Sequence, residues 1–282
     1  MKLFRFGEPG HERPGAIDGA GVRRDLSSVI DDLKGVTLRP ASIARLKALD
    51  LSTLPLVPDD VRLSSCVARP GNFIGIGLNY ADHALEAGLG IPEPGDSLVF
   101  NKAPNCTVGP NDDILLPPGS VSTDWEAELA IVIGSPAWQI TEAQAPAAIA
   151  GYCVCNDVSE RDYQKNRGGQ FTKGKGCPTF GPLGPWLVTP DEIADIQNLR
   201  IWLTLNGETM QEGNSAQMLA GAYRLVSYLS TFMLLEPGDV ITTGTPAGVG
   251  MARTPPVYLK PGDVVELGVE GLGVQRQRVV QG

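Results

Sequence analysis

The chain has 282 residues, 42% of them hydrophobic and 20% charged, with a net charge of −9. That composition offers enough apolar surface to offset folding entropy, which excludes a disordered chain. The negative field repels a phosphate backbone, so nucleic acid is not an expected partner. The 34 glycines and 23 prolines are far above the roughly 12% of average usage. Without a G-X-Y period, they predict many turns and short strands, and so a β-rich fold. No apolar run approaches the ~20 residues of a membrane span. MKLFRFGEPG at the N-terminus carries no signal core, and Cys66, Cys106, Cys153, Cys155 and Cys177 are expected to stay reduced in the cytoplasm.

In chain order, Met1 to Phe6 alternates like a short strand, and Gly15 to Arg24 reads as a hairpin around Asp18-Gly19. Leu26 to Leu33 and Ala41 to Leu49 are predicted as short helices. Leu51 to Pro70, with three prolines, reads as an extended connector. A boundary is placed near residue 69. Beyond it, Phe73 to Ile76, Trp125 to Ile133 and Ile149 to Val154 are predicted strands. Tyr80 to Gly88 has helical spacing and a glycine stop. Ile201 to Leu205 ends at Asn206-Gly207, a strong hairpin signal, and Ala216 to Leu235 has helical periodicity.

Several motifs fail on inspection. Gly75-Ile76-Gly77-Leu78-Asn79-Tyr80 starts like a dinucleotide loop but has Tyr80 where a third glycine is needed. GQFTKGKG at 169–176 ends on Gly176, where a phosphate loop needs a hydroxyl for magnesium. Cys153 and Cys155 are too few ligands for structural zinc and read as core. The two histidines, His11 and His83, exclude a three-histidine zinc site, and there is no G-x-S-x-G elbow.

What survives is a set of carboxylates. Glu126 and Glu128 stand at i and i+2 on a predicted strand, so both project to one face. Either that face is solvated, or the two charges flank a cation. Asp157, just after the apolar run Ile149 to Val154, supplies a third oxygen donor. An all-oxygen set favours Mg²⁺, Mn²⁺ or Ca²⁺. His83 and Glu86, at i and i+3, read either as an acid–base pair or as an exposed histidine with a helix-stabilising neighbour. Lys173 and Lys175 flank Gly174 in a glycine-rich loop.

With those residues in place, the chain resembles the fumarylacetoacetate hydrolase family over residues ~70–282. The segments that carry the likeness are GIGLNYADHALEAG, FNKAPNCTVGP, DWEAELAIVIG, GYCVCNDVSERDYQ, TKGKGCPTFGPLGPWLVT and GDVITTGTPAGVG, in that order. The resemblance implies a mixed, β-rich fold: a β-roll or sandwich catalytic domain with few short helices over 70–282, behind a small N-terminal α+β domain over 1–69. It implies Glu126, Glu128 and Asp157 as ligands of Mg²⁺, with Mn²⁺ as alternative. By the same likeness His83 and Glu86 are a catalytic dyad on a short lid, and Lys175 is the active-site lysine. Gln164 and Thr245 become substrate contacts, and the assembly a homodimer. Lys173 is left without a role.

The reaction so implied is hydrolysis of the C3–C4 bond of a 2,4-diketo acid to pyruvate and a carboxylic acid. The stretch from Asn156 to Glu192 is similar to members acting on 2,4-diketo-3-deoxy-L-rhamnonate and related sugar acids. Leu78 replaces an arginine of the small acylpyruvases, and Pro178 replaces a common aspartate. A second reading keeps the metal but decarboxylates or isomerises oxaloacetate or a homoprotocatechuate-pathway diacid. A third is a non-catalytic binding protein.

Overall fold

The computed structural model describes residues 1–88, 90–91 and 95–282. The expected lid segment is therefore only partly covered, since Leu89 and Pro92 lie outside the described residues. The architecture is mixed and strand-rich, with few short helices, as expected. The longest helix among the described residues is Ala222–Ser230, and none is long and apolar enough to cross a membrane.

An eleven-stranded sheet carries the molecule. Its main path runs through Arg23–Asp25, Arg13–Ile17, Lys2–Phe6, Gly181–Val188, Ile149–Asn156, Ala127–Ile133, Val240–Thr242, Phe73–Gly77 and Leu98–Lys102, and it does not close on itself. A five-stranded sheet holds Glu208–Asn214, Arg200–Leu205, Val264–Val269, Gly273–Gln281 and Ile114–Leu116. Leu129 and Ile131 of the first sheet share one buried cluster with Ile201, Leu203, Val265 and Leu267 of the second.

The strand Ala127–Ile133 is central, with antiparallel neighbours on both edges and every side chain buried. That position explains its nearly unbroken apolar run. Asn206 and Gly207 both take positive φ, 54° and 84°, as a tight hairpin turn requires.

Two predicted helices are corrected by long-range bonds. Leu26 to Leu33 makes a single turn and stops. Asp32 instead pairs with Arg5 at 2.6 Å and accepts the Leu33 N–H, so its side chain competes with a helix for the backbone. In Ala216 to Leu235, only Ala222–Ser230 is α-helical. Ahead of it, the Leu219 N–H donates to the Asn79 carbonyl and the Ala220 N–H to Asn79 Oδ1, both at 2.8 Å. Those two bonds hold the backbone out of helical register.

Residues 1–69 and 70–282 remain a proposed division. Strand Lys2–Phe6 is hydrogen-bonded to Gly181–Val188, and Leu3, Leu26 and Leu33 belong to the main core cluster. Leu3 is fully buried there. Leu3→Ala should therefore destabilise the protein by ~2–4 kcal/mol. Urea unfolding should show one shifted transition; a separate early transition confined to the first 69 residues would show that they unfold on their own.

Candidate active site

The backbone ladder brings the three carboxylates together. Ala127 sits opposite Asn156 and Glu128 opposite Cys155. One step further, the Asp157 N–H donates to the Glu126 carbonyl at 2.9 Å. Asp157 is thus the cross-strand neighbour of Glu126, and Glu128 lies two residues along the same face. Ligand atoms of Glu126, Glu128 and Asp157 lie within 4.8 Å of one another, and all three residues are buried.

Three cations meet this cluster. Lys175 Nζ donates to Glu126 Oε2 at 2.6 Å and to Asp157 Oδ2 at 2.8 Å. Its approach depends on Gly174, where a Cβ would sit 2.5 Å from the Glu160 carbonyl oxygen. Lys102 donates to Asp157 Oδ1 at 2.5 Å and to the Lys175 carbonyl at 2.7 Å. Arg161 spans Glu126 at 2.8 Å and Asp124 at 2.7 Å. Burial pushes the Glu126 carboxyl up, but Lys175 and Arg161 outweigh it and hold its pKa at about 2. Among the described residues, Glu128 has no ion pair and accepts only the Gly244 N–H, at 2.8 Å. Burial, then the charges of Asp157 and Glu126, drive its pKa well above the usual carboxylate range.

His83 and Glu86 lie on the short helix Ala81–Glu86. The imidazole Nδ1 is 2.8 Å from Glu86 Oε1, and Glu86 Oε2 accepts the Gly248 N–H at 2.8 Å. With Nδ1–H given to Glu86, Nε2 is the basic nitrogen. The segment from Gly244 to Met251 serves several acids at once. Its backbone N–H groups bond Glu128, Glu86 and Asp124. Gly248 has φ +108°, and a Cβ there would lie 2.0 Å from the Met210 carbonyl oxygen, so only glycine fits.

Thr245 Oγ1 donates to the Ala127 carbonyl at 2.9 Å and accepts from Gln211 Nε2 at 2.7 Å. Gln164 Oε1 accepts from Arg161 at 3.0 Å, which leaves its amide NH₂ to donate. A cavity of about 110 Å³ is lined by His83, Glu126, Glu128, Gln164, Lys175 and Thr245. Asp157 lies beneath Lys175, and Glu86 behind His83. The fold thus gathers all eight residues singled out in the sequence. Lys173 is not part of the group: it is exposed and donates to the Arg167 carbonyl.

Residues 72–280 match the family model described as fumarylacetoacetate (FAA) hydrolase, C-terminal. The chain belongs to the fumarylacetoacetate hydrolase family. It is 56% identical to a Burkholderia multivorans protein named "Putative hydrolase", over 98% of each chain. Among solved structures it is similar to the fumarylacetoacetate hydrolase of Exiguobacterium antarcticum, with 37% identity, TM-score 0.87 and full coverage of both chains. It is also similar to maleylpyruvate hydrolase from Sphingobium sp. SYK-6, solved with manganese(II) ion and pyruvate, with 26% identity, TM-score 0.82 and full coverage of both chains.

The donor set of this family member fits a divalent cation. It is all oxygen, convergent and buried, and burial with the neighbouring Asp157 and Glu126 charges makes an ionised Glu128 costly without a cation. Four polar residues escaped the sequence reading: Lys102, Asp124, Arg161 and Gln211. The first three stand inside the segments that carry the family likeness, so their position was a usable signal. Gln211 had none. It is buried, and Oε1 accepts the Ala127 N–H at 2.9 Å while Nε2 donates to Thr245 and to the Pro246 carbonyl.

A carboxyl whose folded pKa lies above its unfolded value of 4.5 destabilises the fold as pH rises past that value. Glu128→Gln should therefore raise the thermal midpoint of metal-free protein at neutral pH by a few °C. The same change should abolish the stabilisation that Mg²⁺ or Mn²⁺ gives the unsubstituted chain. Thermal melts with and without each ion, after chelator treatment, check both outcomes.

Proposed function

We propose that the protein is a divalent-metal-dependent hydrolase that cleaves the C3–C4 bond of a 2,4-diketo acid, releasing pyruvate and a carboxylic acid. The observation that carries this reading is the buried trio of carboxylates sharing one cavity with an oriented histidine. Glu126, Glu128 and Asp157 would hold Mg²⁺, or Mn²⁺ in its place. When bound, the ion supplies electrophilic stabilisation to the oxygens of the keto-acid end. The pyruvate bound to the manganese form of maleylpyruvate hydrolase supports pyruvate as the product.

The chain's own groups account for the rest. Gln164 donates through its free amide to the substrate. The Thr245 hydroxyl proton is already given to Ala127, so Thr245 meets the substrate carboxylate through its backbone N–H, which has no partner among the described residues. His83 Nε2 takes a proton from water while Glu86 holds Nδ1–H and stabilises the imidazolium. The resulting hydroxide adds to C4. The C3–C4 bond then breaks, with its electron pair passing to C3 as the pyruvate enolate. The Lys175 ammonium faces that developing charge, where electrostatic stabilisation counts most. Protonation at C3 completes pyruvate, and C4 leaves as the carboxylic acid. Sequence likeness to sugar-acid members supports a deoxy-sugar arm beyond C4.

His83→Ala should lower kcat for Mg²⁺-dependent pyruvate release by ~10²–10⁴, the range of a lost general base, with KM little changed. A coupled pyruvate assay over a panel of 2,4-diketo acids measures this. Carbon dioxide release without a second acid product would instead mark a decarboxylase.

A further inference from the structure

The strand Glu208–Asn214 is the outer edge of the five-stranded sheet, and Gln211 is its one buried residue, only 1% exposed. A bulge aims it inward. Gln211 stands opposite Leu203 and Thr209 opposite Thr204, so Met210 is an extra residue without a partner. Such an insertion turns a side chain out of the regular alternation. Close approach is allowed at Gly213, where a Cβ would lie 2.5 Å from the Pro246 ring. A buried amide is costly unless it is bonded, and here every part of it is. Oε1 accepts the Ala127 N–H at 2.9 Å, while Nε2 donates to Thr245 Oγ1 at 2.7 Å and to the Pro246 carbonyl at 2.9 Å.

The place that Gln211 fills is a missing rung. Ala127–Ile133 and Val240–Thr242 are antiparallel, with Ala130 opposite Thr242. One residue on, the Thr243 N–H still donates to the Leu129 carbonyl at 3.0 Å. In such a ladder every second pair exchanges main-chain bonds, so the next bonded pair is Ala127 with Thr245. Regular pairing gives the Thr245 N–H to the Ala127 carbonyl and the Ala127 N–H to the Thr245 carbonyl. Neither bond is present. The Ala127 carbonyl takes the Thr245 hydroxyl, and the Ala127 N–H takes Gln211. The chain turns away at Gly244, with φ +91°. Two side chains thus stand in for two main-chain groups, and the Thr245 N–H has no partner among the described residues. Thr245 lines the catalytic cavity, and Ala127 is the residue between Glu126 and Glu128.

We infer that Gln211 is a positioning residue: it replaces the Ala127–Thr245 rung, and so keeps the Thr245 N–H free for the substrate carboxylate. Its amide also sets the direction of the Thr245 hydroxyl, because an oxygen that accepts from Nε2 sends its own proton on to Ala127. Without Gln211 the buried Ala127 N–H has lost its acceptor, which a folded chain repairs where it can. The ladder's own acceptor is the Thr245 carbonyl. Closing that rung turns the Thr245 N–H towards Ala127 and away from the cavity. The carboxylate part of this inference rests on the reading of Thr245 given above; the rung does not.

The test uses full-length Gln211→Met, which keeps the length of the side chain without its amide, and Gln211→Glu, which keeps an acceptor for Ala127. Crystal structures of both and of the unsubstituted protein, each with Mg²⁺ and pyruvate, read the rung directly. In Gln211→Met, Thr245 N should close to about 2.9 Å from the Ala127 carbonyl oxygen, an ordinary hydrogen bond. In Gln211→Glu and in the unsubstituted protein it should stay unbonded to Ala127. Calorimetry should show the Kd for pyruvate raised about tenfold in Gln211→Met, the loss of one hydrogen bond to a charged group. Mn²⁺ measured alone should bind within about threefold of the unsubstituted protein, because the partners of Glu126 and Glu128 are untouched; one tenfold is a 1.4 kcal/mol step. An open rung in Gln211→Met, or a closed one in the unsubstituted protein, overturns the inference, and the second needs no variant to fold. Equal losses of Mn²⁺ and pyruvate affinity would mark a merely structural glutamine and overturn it too. Pyruvate bound away from the Thr245 N–H would instead overturn the carboxylate contact itself, whatever the state of the rung.

Discussion

Three carboxylates held side by side in a buried place form the constraint around which the site is organised. Two unit charges about 4 Å apart repel by roughly 4 kcal/mol at an effective dielectric of 20, and Glu126, Glu128 and Asp157 make three such pairs within 4.8 Å. The side chains cannot relax by splaying. The backbones of Glu126 and Asp157 are tied by a ladder bond, and Glu128 sits in an interior strand paired on both edges. Compensation therefore comes from outside: Lys175 and Lys102 from the segments around them, Arg161 from its short helix, and a backbone N–H from Gly244. That compensation is uneven. Glu126 is held strongly acidic while Glu128 is driven the other way, so ionising Glu128 is the step that most needs a further cation.

Sheet topology explains why these groups converge at one edge. Val240–Thr242 and Phe73–Gly77 are parallel neighbours, so the segments that leave them emerge at the same end. One leads to the dyad helix, the other to the Gly244–Met251 segment. Ala127–Ile133 runs antiparallel to Val240–Thr242 and begins at that end, with Glu126 just ahead of it. Ile149–Asn156 is antiparallel again and finishes there, immediately before Asp157. Three strands that end there and one that begins there thus deliver ligands, base and anchoring loop to one place.

Local patterns were legible in the sequence. Apolar runs identified the strands around Glu128 and Val154, and Asn206-Gly207 identified the hairpin. Carboxylates at i and i+2, with a third at a strand end, pointed to the site before any contact was visible. Illegible were features fixed by distant partners. Asn79 stops a helix at residues 219–220, about 140 positions away, and Asp32 ends another by reaching Arg5. The compensating charges fall in the same class: Arg161 lies 37 residues from Asp124, and Lys102 lies 55 from Asp157. A lysine or arginine read on its own looks like a solvated charge until its acid is known. Only the family likeness marked those segments, and it marked them whole rather than residue by residue.

The dyad shows how little local stability the arrangement needs. Ala81–Glu86 is six residues long, well below the length at which an isolated helix persists in water. Its position is imposed at both ends. At the start, Asn79 Nδ2 donates to the Thr243 and Ala220 carbonyls at 2.8 and 2.9 Å. At the end, the Glu86 carboxylate holds the Gly248 N–H with one oxygen and the His83 ring with the other. The residue that orients the base therefore also fastens its helix to the segment that carries Thr245. Any shift of that segment moves the imidazole and the Thr245 backbone together. Base and substrate anchor keep their register because both hang on the same stretch of backbone, not because the helix between them is rigid.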